Sequence, residues 1–223
     1  MSENVEAVSE RAQFCGKADP RDLATFFSRA RAVDSQVAVK LLSRGKALAA
    51  YVAVLAPATL LDAMPTVLGM RAVPLENSAH IDTVVEASAL LDRLARIEDE
   101  GLKLTLPPVT VNAAWAGITP PLSGWQLQGS IDAETLRRTA KEGMDAVDQA
   151  LPQNPGHAVL DTVRSRIWSS PLPGFEMPIP AGVAFAAEVL GFLPSKSMDA
   201  VSVYTADGWV RLNAPGGYVL ARV

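Results

Sequence analysis

Apolar residues recur every three or four positions in several parts of the chain, which is the spacing of one helix face. The clearest case follows Asp132, where charged residues fill the opposite face in i,i+4 pairs. Asp19 followed by Pro20 is a typical helix start. The segment from Ala181 to about Leu190 is apolar nearly all round, which predicts a buried helix. The pattern predicts helices over about 20–33, 78–99, 132–151, 155–168 and 181–190.

Alternation of apolar and polar residues predicts strands in two places. Residues 37–41 and the segment "ALAAYVAV" flank "SRGK", which predicts a hairpin, and residues 66–73 predict a third strand. The end of the chain reads as a meander, with a two-residue turn at Asp207-Gly208. The two strand groups are separated by helices. The sequence therefore predicts an α+β fold, with antiparallel hairpin and meander groups near both ends, four to five helices and two closely packed lobes.

Composition changes along the chain predict its domain organisation. Residues 1–18 lack periodic apolar positions and precede the first capped helix, so we expect a flexible tail there. We expect residues 19–223 to form a single α+β domain. A composition break near 101–130 suggests a lobe junction, and this segment is too apolar to be a free linker.

The acidic balance of the chain argues against nucleic acid as a partner. The formal net charge is −4 and the pI is about 5.2, whereas nucleic-acid binders concentrate Lys and Arg. The single Cys15 cannot form an internal disulfide, which makes the cytoplasm the expected location. Pro57 interrupts the most apolar segment, residues 47–61, which is shorter than the roughly 20 residues of a membrane-spanning helix. We therefore expect no membrane span.

Motifs for catalysis, cofactors and metals are missing from the sequence. There is no G-x-S-x-G elbow and no dinucleotide-binding glycine pattern, and His80 and His157 with one cysteine are too few for a usual zinc site. The sequence thus predicts no catalytic residue, no metal and no cofactor, and an enzyme is the less favoured class. Glu188 is the only charge on the apolar helix, where it must pair, reach water or take up a proton.

The 28 residues from Leu104 to Ile131 carry no charge and contain two tryptophans and four prolines. Two interpretations remain open. The tryptophans fill a seam between lobes, or they line an apolar cleft that receives a ligand or partner. A second proline-rich segment, "SSPLPGFEMPIP" over 169–180, has the same character. The candidate binding residues are Trp115, Ile118, Pro120, Pro121, Trp125, Phe175, Met177 and Glu188.

The segments "PPVTVNAAWAGITPPLSGW", "IWSSPLPG", "AAEVLGFL" and "DGWVRLNAPGGYVLARV" resemble an uncharacterised family of intracellular actinobacterial proteins over about residues 20–223. That family has no assigned activity, so the resemblance implies no site residue. We expect a non-enzymatic cytoplasmic protein that binds a protein partner, or another copy of itself, through an apolar Trp/Pro-rich surface formed by residues 107–125 and 171–180. The alternative is a small-molecule binder or enzyme with an apolar pocket in the same region.

Overall fold

The computed structural model describes residues 10–16, 19–57, 59, 62–97, 102–152, 156–175, 177–194 and 199–223. The described helices are α1 (Pro20–Val33), α2 (Ala87–Leu94), α3 (Ala133–Ala150), α4 (His157–Trp168) and α5 (Gly182–Val189), with a 3-10 helix over Ala114–Gly117. The described strands are β1 (Arg11–Gln13), β2 (Ala38–Leu55), β3 (Val67–Glu86), β4 (Lys103–Thr105), β5 (Gln126–Asp132), β6 (Ala200–Ala206), β7 (Trp209–Ala214) and β8 (Gly217–Arg222). The predicted α+β class is confirmed.

The strands form one two-stranded sheet, β1-β4, and one six-stranded sheet in the order β2-β3-β8-β7-β6-β5. The chain divides into two compact units. The first comprises residues 1–52 and 70–117, and the second comprises residues 53–69 and 118–223. The division falls inside β2 and β3, so each of these long strands contributes to both units.

The first unit begins with a strand and a capped helix. The Asp19 side chain accepts a hydrogen bond from the backbone N of Arg21, so the predicted start of α1 is confirmed. β1 pairs antiparallel with β4, and Phe14 is buried and bridges to Leu75. The prediction of a flexible tail over residues 1–18 is therefore wrong for residues 11–14, because their apolar side chains are held in the core. Residues 1–9, 17 and 18 lie outside the described part of the chain.

Two other predictions for the first unit are wrong. Ser43 to Lys46 do not turn the chain, because β2 continues through them and the buried Ser43 hydroxyl donates to the carbonyl of Ala79 at 3.0 Å. The helix predicted over 78–99 is a strand as far as Glu86 and a helix only over α2. A strand forms here because buried residues recur at every second position, which is the spacing of one strand face. The buried residues are Val73, Leu75, Ala79, Ile81 and Val85.

In the second unit, β6, β7 and β8 form the predicted antiparallel meander, and β5 pairs with β6 as a further antiparallel strand. Asp207 and Gly208 have φ of 44° and 74°, the left-handed conformation that a two-residue hairpin turn needs. One face of these strands is buried, through Val203, Val210 and Leu212 among others. The opposite face, around Tyr204 and Arg211, is only half-buried.

Helices α3, α4 and α5 pack together in the same unit. The Trp168 ring of α4 stacks on Phe185 of α5, with 4.5 Å between ring centroids. α5 is buried on most of its circumference, as its sequence predicts. Gly182 at its start lies so close to the Leu55 side chain that an added Cβ would be 2.6 Å away. Within the described residues, no helix is both long and apolar enough to cross a membrane.

Candidate functional site

Exposed large apolar side chains concentrate just before and within β5. Leu122 is 69% exposed, Leu127 is 63% exposed and Ile118 is 42% exposed. The three lie within residues 118–127, which we name the apolar strip. The other exposed large apolar side chains of the described residues are scattered along the chain; they are Val109, Val159 and Val223. Since single exposed apolar residues are ordinary and clusters are not, the apolar strip is a candidate contact surface.

Trp125 lies within the apolar strip and is held by the loop that precedes it. Its indole Nε1 donates a hydrogen bond of 3.0 Å to the carbonyl oxygen of Pro121. Gly124 between them has a φ of 82°, a conformation that favours glycine. The ring is half-buried. The loop thus fixes the orientation of an indole that still presents part of its surface.

The Trp125 ring meets an arginine of the sheet. The guanidinium carbon of Arg211 lies 4.4 Å from the ring centroid of Trp125, 5.0 Å from that of Tyr204 and 5.7 Å from that of Tyr218. We name these four residues the aromatic–arginine cluster. Tyr204 lies opposite Arg211 in the register of β6 and β7, which places both side chains on one face of the sheet. Three rings therefore surround one cation on the half-buried face.

Arg211 is held by rings rather than by acceptors. Burial lowers the pKa of its guanidinium from the ordinary value, and Tyr218 and Tyr204 oppose that shift. The group still carries its charge at neutral pH. Its Nε is sealed from solvent and has no acceptor among the described residues, and Oδ1 of Asn213, two residues along β7, is likewise sealed and has no donor. Within the described residues, two buried polar atoms on this face are thus left without hydrogen-bond partners.

The predicted site residues fall into both units. Trp115 lies in the 3-10 helix of the first unit and is half-buried. The other seven lie in the second unit, where Pro120 is buried, Ile118 is exposed and the rest are half-buried. The structure joins Pro121 to Trp125 through the indole hydrogen bond.

Phe175 lies on a different side of β5 from Trp125. An added Cβ on Gly129 would be 3.9 Å from the Phe175 ring, and Gly129 pairs with Val203 of the buried sheet face. The loop that carries Phe175 is closed by hydrogen bonding of Leu172 to Ile179. Phe175 thus packs toward the core side, whereas Trp125 covers Arg211 on the opposite side.

Glu188 is paired. Its carboxylate Oε2 lies 3.8 Å from Nε of Arg137, and Arg137 also donates to the carbonyl of Pro194. The Glu188 side chain is 39% exposed, so it reaches water as well. The charge on the apolar helix is therefore accounted for by an ion pair at the surface, and nothing in this arrangement marks Glu188 as an acid or base.

Sequence reasoning missed Tyr204, Arg211 and Tyr218. A signal was present, because a two-residue turn at Asp207-Gly208 pairs Tyr204 with Arg211 across the hairpin. The next turn pairs Asn213 with Tyr218 in the same way. The position of Trp125 over this hairpin, by contrast, depends on the loop before β5 and cannot be read from the turns.

Three concave regions of the described residues are lined by other side chains. One of about 560 Å³ has hydroxyl and charged groups, among them Asp62, Asp161 and Arg166. One of about 500 Å³ lies beside Arg93 and Pro107. A third of about 390 Å³ lies between α1 and α2. None of these three linings includes Trp115 or Trp125. Nowhere in the described ranges are three His, Cys, Asp or Glu side chains placed to hold a metal ion.

Two family models match the chain, one for each half. Residues 8–117 match a domain of unknown function, DUF8010, and residues 120–223 match another, DUF8185. These matches fit an uncharacterised family. The sequence resemblance to an uncharacterised family is confirmed to that extent. Among curated proteins, no sequence matches the chain.

Among solved structures, the chain is similar to bacterial polymerase clamps at low identity. For the DNA polymerase sliding clamp from Caulobacter crescentus, the identity is 12% and the TM-score 0.47, over 96% of this chain and 65% of that one. For the DNA polymerase III subunit beta from Pseudomonas aeruginosa, the identity is 15% and the TM-score 0.44, over 95% of this chain and 63% of that one. The chain therefore spans somewhat less than two thirds of the length of these proteins.

Proposed function

We propose that the chain is a non-enzymatic protein-binding module whose contact surface combines the apolar strip with the aromatic–arginine cluster. The observation that carries the proposal is the exposure of Leu122 and Leu127, which come before and after Trp125 in the sequence. Burying a leucine side chain in an interface contributes on the order of 2 kcal/mol, so covering both leucines would contribute substantially to the free energy of binding. The cytoplasmic location is part of this proposal.

The composition of the surface supports a protein partner. Trp, Tyr and Arg are the residues that most often carry the energy of protein interfaces. In the aromatic–arginine cluster, one tryptophan and two tyrosines each lie against one arginine. A rigid aromatic group loses little conformational entropy on binding, because the Pro121 carbonyl already orients Trp125.

The alternative is a small-molecule binder or enzyme with an apolar pocket in the same region. Such a protein would enclose its ligand in a cavity that buries most of the ligand surface. Of the three concave regions described above, the one of about 500 Å³ includes Pro107 and Pro108 of the predicted region, and none includes a residue of the apolar strip. Exposed leucines in an edge strand and in the loop before it are better suited to a broad protein contact, which is why we favour a protein partner.

The proposal is tested by affinity purification of the tagged chain from its native cell, with mass spectrometry of what is retained. The test variant combines Leu122→Ser with Leu127→Thr. The control variant is Val159→Ser, which removes an exposed apolar side chain outside the strip. All three positions are exposed, so each change in the free energy of unfolding should stay within about 0.5 kcal/mol.

We expect the wild-type chain and the Val159→Ser variant to retain the same protein, and the double variant to lose it. If all three retain the same proteins, the apolar strip is not the contact surface. If none retains a protein while a small molecule co-purifies with the wild type, the alternative function replaces the proposed one.

A further inference from the structure

The Arg211 side chain of the cluster has hydrogen-bonding capacity that the described residues do not use. A guanidinium has five N–H donors that lie in its plane. The described residues supply Arg211 with no hydrogen-bond acceptor and no ion pair; its contacts are the three rings. Rings attract the charge of a cation, but they do not take up its in-plane hydrogen bonds. Nε is sealed from solvent, and the residue as a whole is half-buried.

Strands β5 to β8 also place no carboxylate opposite Arg211. Strands β6, β7 and β8 carry no carboxylate, and their other charged residue is Arg222. The one acidic residue of β5 is Asp132, which lies opposite Ala200, whereas Arg211 lies opposite Tyr204. A partner that brings a negative charge to this face would therefore meet complementary charge.

We infer that Arg211 binds an Asp or Glu side chain of the protein partner, within a segment whose apolar side chains cover Trp125 and Leu127. The inference rests on the proposed function and names the chemistry of its partner. A carboxylate matches the guanidinium fork with two parallel hydrogen bonds. A single arginine within aromatic rings suits a single charge, whereas phosphorylated segments are typically bound by several arginines.

The rings make Arg211 a specific receptor for the carboxylate. They hold the guanidinium in one place, so little side-chain freedom remains to be lost on binding. They also exclude water from one side of the group, which strengthens the attraction between the charges. Removing Arg211 should therefore weaken acidic partners selectively and leave apolar contacts unchanged.

The test is selection of binding peptides from a random peptide library displayed on phage, with the folded full chain as the target. Four targets are compared: the wild type, Arg211→Met, Arg211→Lys and Arg222→Met. Arg222 is the matched control, because it is an exposed arginine at the end of the neighbouring strand β8. Thermal melting checks the fold of every target, and Arg211→Lys keeps the charge if Arg211→Met does not fold.

We expect peptides selected on the wild type and on Arg222→Met to share an acidic residue beside apolar ones. Changing that residue to Asn or Gln in a synthetic peptide should weaken binding about tenfold or more, since hydrogen bonds between charged groups are the strong class. Arg211→Met should lose the acidic preference, and Arg211→Lys should keep it with lower affinity.

Two results would overturn the inference. Peptides selected without acidic preference, or with a preference that persists in both Arg211 variants, would show that Arg211 is not the receptor, while the proposed function would stand. If no peptide is enriched on the wild type over an unrelated protein, both the inference and the proposed function fail.

Discussion

Nζ of Lys40 donates a hydrogen bond of 2.7 Å to the carbonyl oxygen of Ala116, 76 residues further along the chain. Lys40 is 8% exposed, so its ammonium group is among the few charged groups in the core of the described residues. Asp82 lies 3.7 Å away and partly balances the charge. The bond ties the 3-10 helix that carries Trp115 to strand β2.

We predict that Lys40→Met releases this 3-10 helix. A hydrogen bond from a charged donor contributes roughly 1.5–3 kcal/mol, and the Ala116 carbonyl would be left without its partner. The amide of Ala116, which bonds to the Ala113 carbonyl, should then exchange with solvent at least about fivefold faster. Hydrogen exchange followed by NMR measures this rate. The control is Lys46→Met, at an exposed position of the same strand, which should leave the rate unchanged.

Elements whose ends are marked by a helix cap or a turn were predicted correctly. The Asp19-Pro20 cap begins α1, and the Asp207-Gly208 turn sets the register of β6 and β7. The failures are in β2 and β3, where the decision is not local. Ile81 fits the apolar face of a helix and also the core face of a strand. The segment forms a strand because β3 pairs with the long strand β2. This pairing involves residues far away in the sequence, so it cannot be predicted from the residues around Ile81.

The candidate site was predicted in part. Trp125 was chosen from the uncharged segment, and strand β5 begins directly after it, as the alternation of 126–128 indicates. Arg211 was overlooked because an arginine within a strand usually faces solvent. Its contact joins β7 to Trp125 just before β5, with β6 between the two strands, and such a contact depends on tertiary geometry rather than on periodicity.

A Phe14 variant tests whether residues 11–14 are part of the folded core rather than a flexible tail. It is 1% exposed and bridges to Leu75, so Phe14→Ala should lower the free energy of unfolding by about 3–5 kcal/mol. Urea denaturation measures the loss. Arg11→Ala, at an exposed position of β1, should change stability by less than about 0.5 kcal/mol. A Phe14→Ala protein as stable as the Arg11→Ala protein would restore the flexible-tail prediction.

Gly143 of α3 lies against the Trp168 ring, and this contact excludes a larger residue. An added Cβ would be 2.3 Å from Cζ3 and 2.5 Å from Cη2 of that ring. Overpacking costs about 1–3 kcal/mol, while alanine is favoured over glycine in a helix by roughly 1 kcal/mol. We therefore expect Gly143→Ala to destabilise the protein by up to about 2 kcal/mol in thermal and chemical denaturation.

Two variants make the Gly143 test specific. Gly117→Ala adds a Cβ in open space, so its stability should be unchanged or slightly raised. Trp168→Phe removes the ring atoms that the new Cβ meets, so Gly143→Ala should cost less in that background. Equal costs in both backgrounds would show that the ring contact does not limit the size of residue 143.

We expect the burial of Tyr51 to make the protein less stable at alkaline pH. Burial raises the pKa of its hydroxyl above the ordinary value of 10.0, so the folded state holds the proton more tightly than the unfolded state. The resulting stability is fully present below about pH 10 and is lost as pH rises toward the folded pKa. Tyr51→Phe should remove this part of the pH dependence. Denaturation midpoints of both proteins at about pH 8 and about pH 11 measure it, and parallel alkaline losses would contradict the prediction.

The contact between Trp125 and Arg211 is measurable as a coupling energy in the free protein. Arg211→Met should change stability little, because it loses the attraction of the rings but also removes a buried donor without an acceptor. Trp125→Ala should cost about 1–3 kcal/mol, since its half-buried ring and the hydrogen bond to Pro121 are lost.

If the guanidinium is attracted by the indole, the double variant should be less destabilised than the sum of the single variants, by about 0.5–2 kcal/mol. The control cycle pairs Trp125→Ala with Arg222→Met, whose coupling should be near zero because Arg222 lies at the end of β8 and is exposed. Urea denaturation of all the variants at one salt concentration supplies the energies. Equal couplings in the two cycles would mean that the ring only covers Arg211 and does not attract its charge, and the guanidinium would then have no fixed orientation toward a carboxylate.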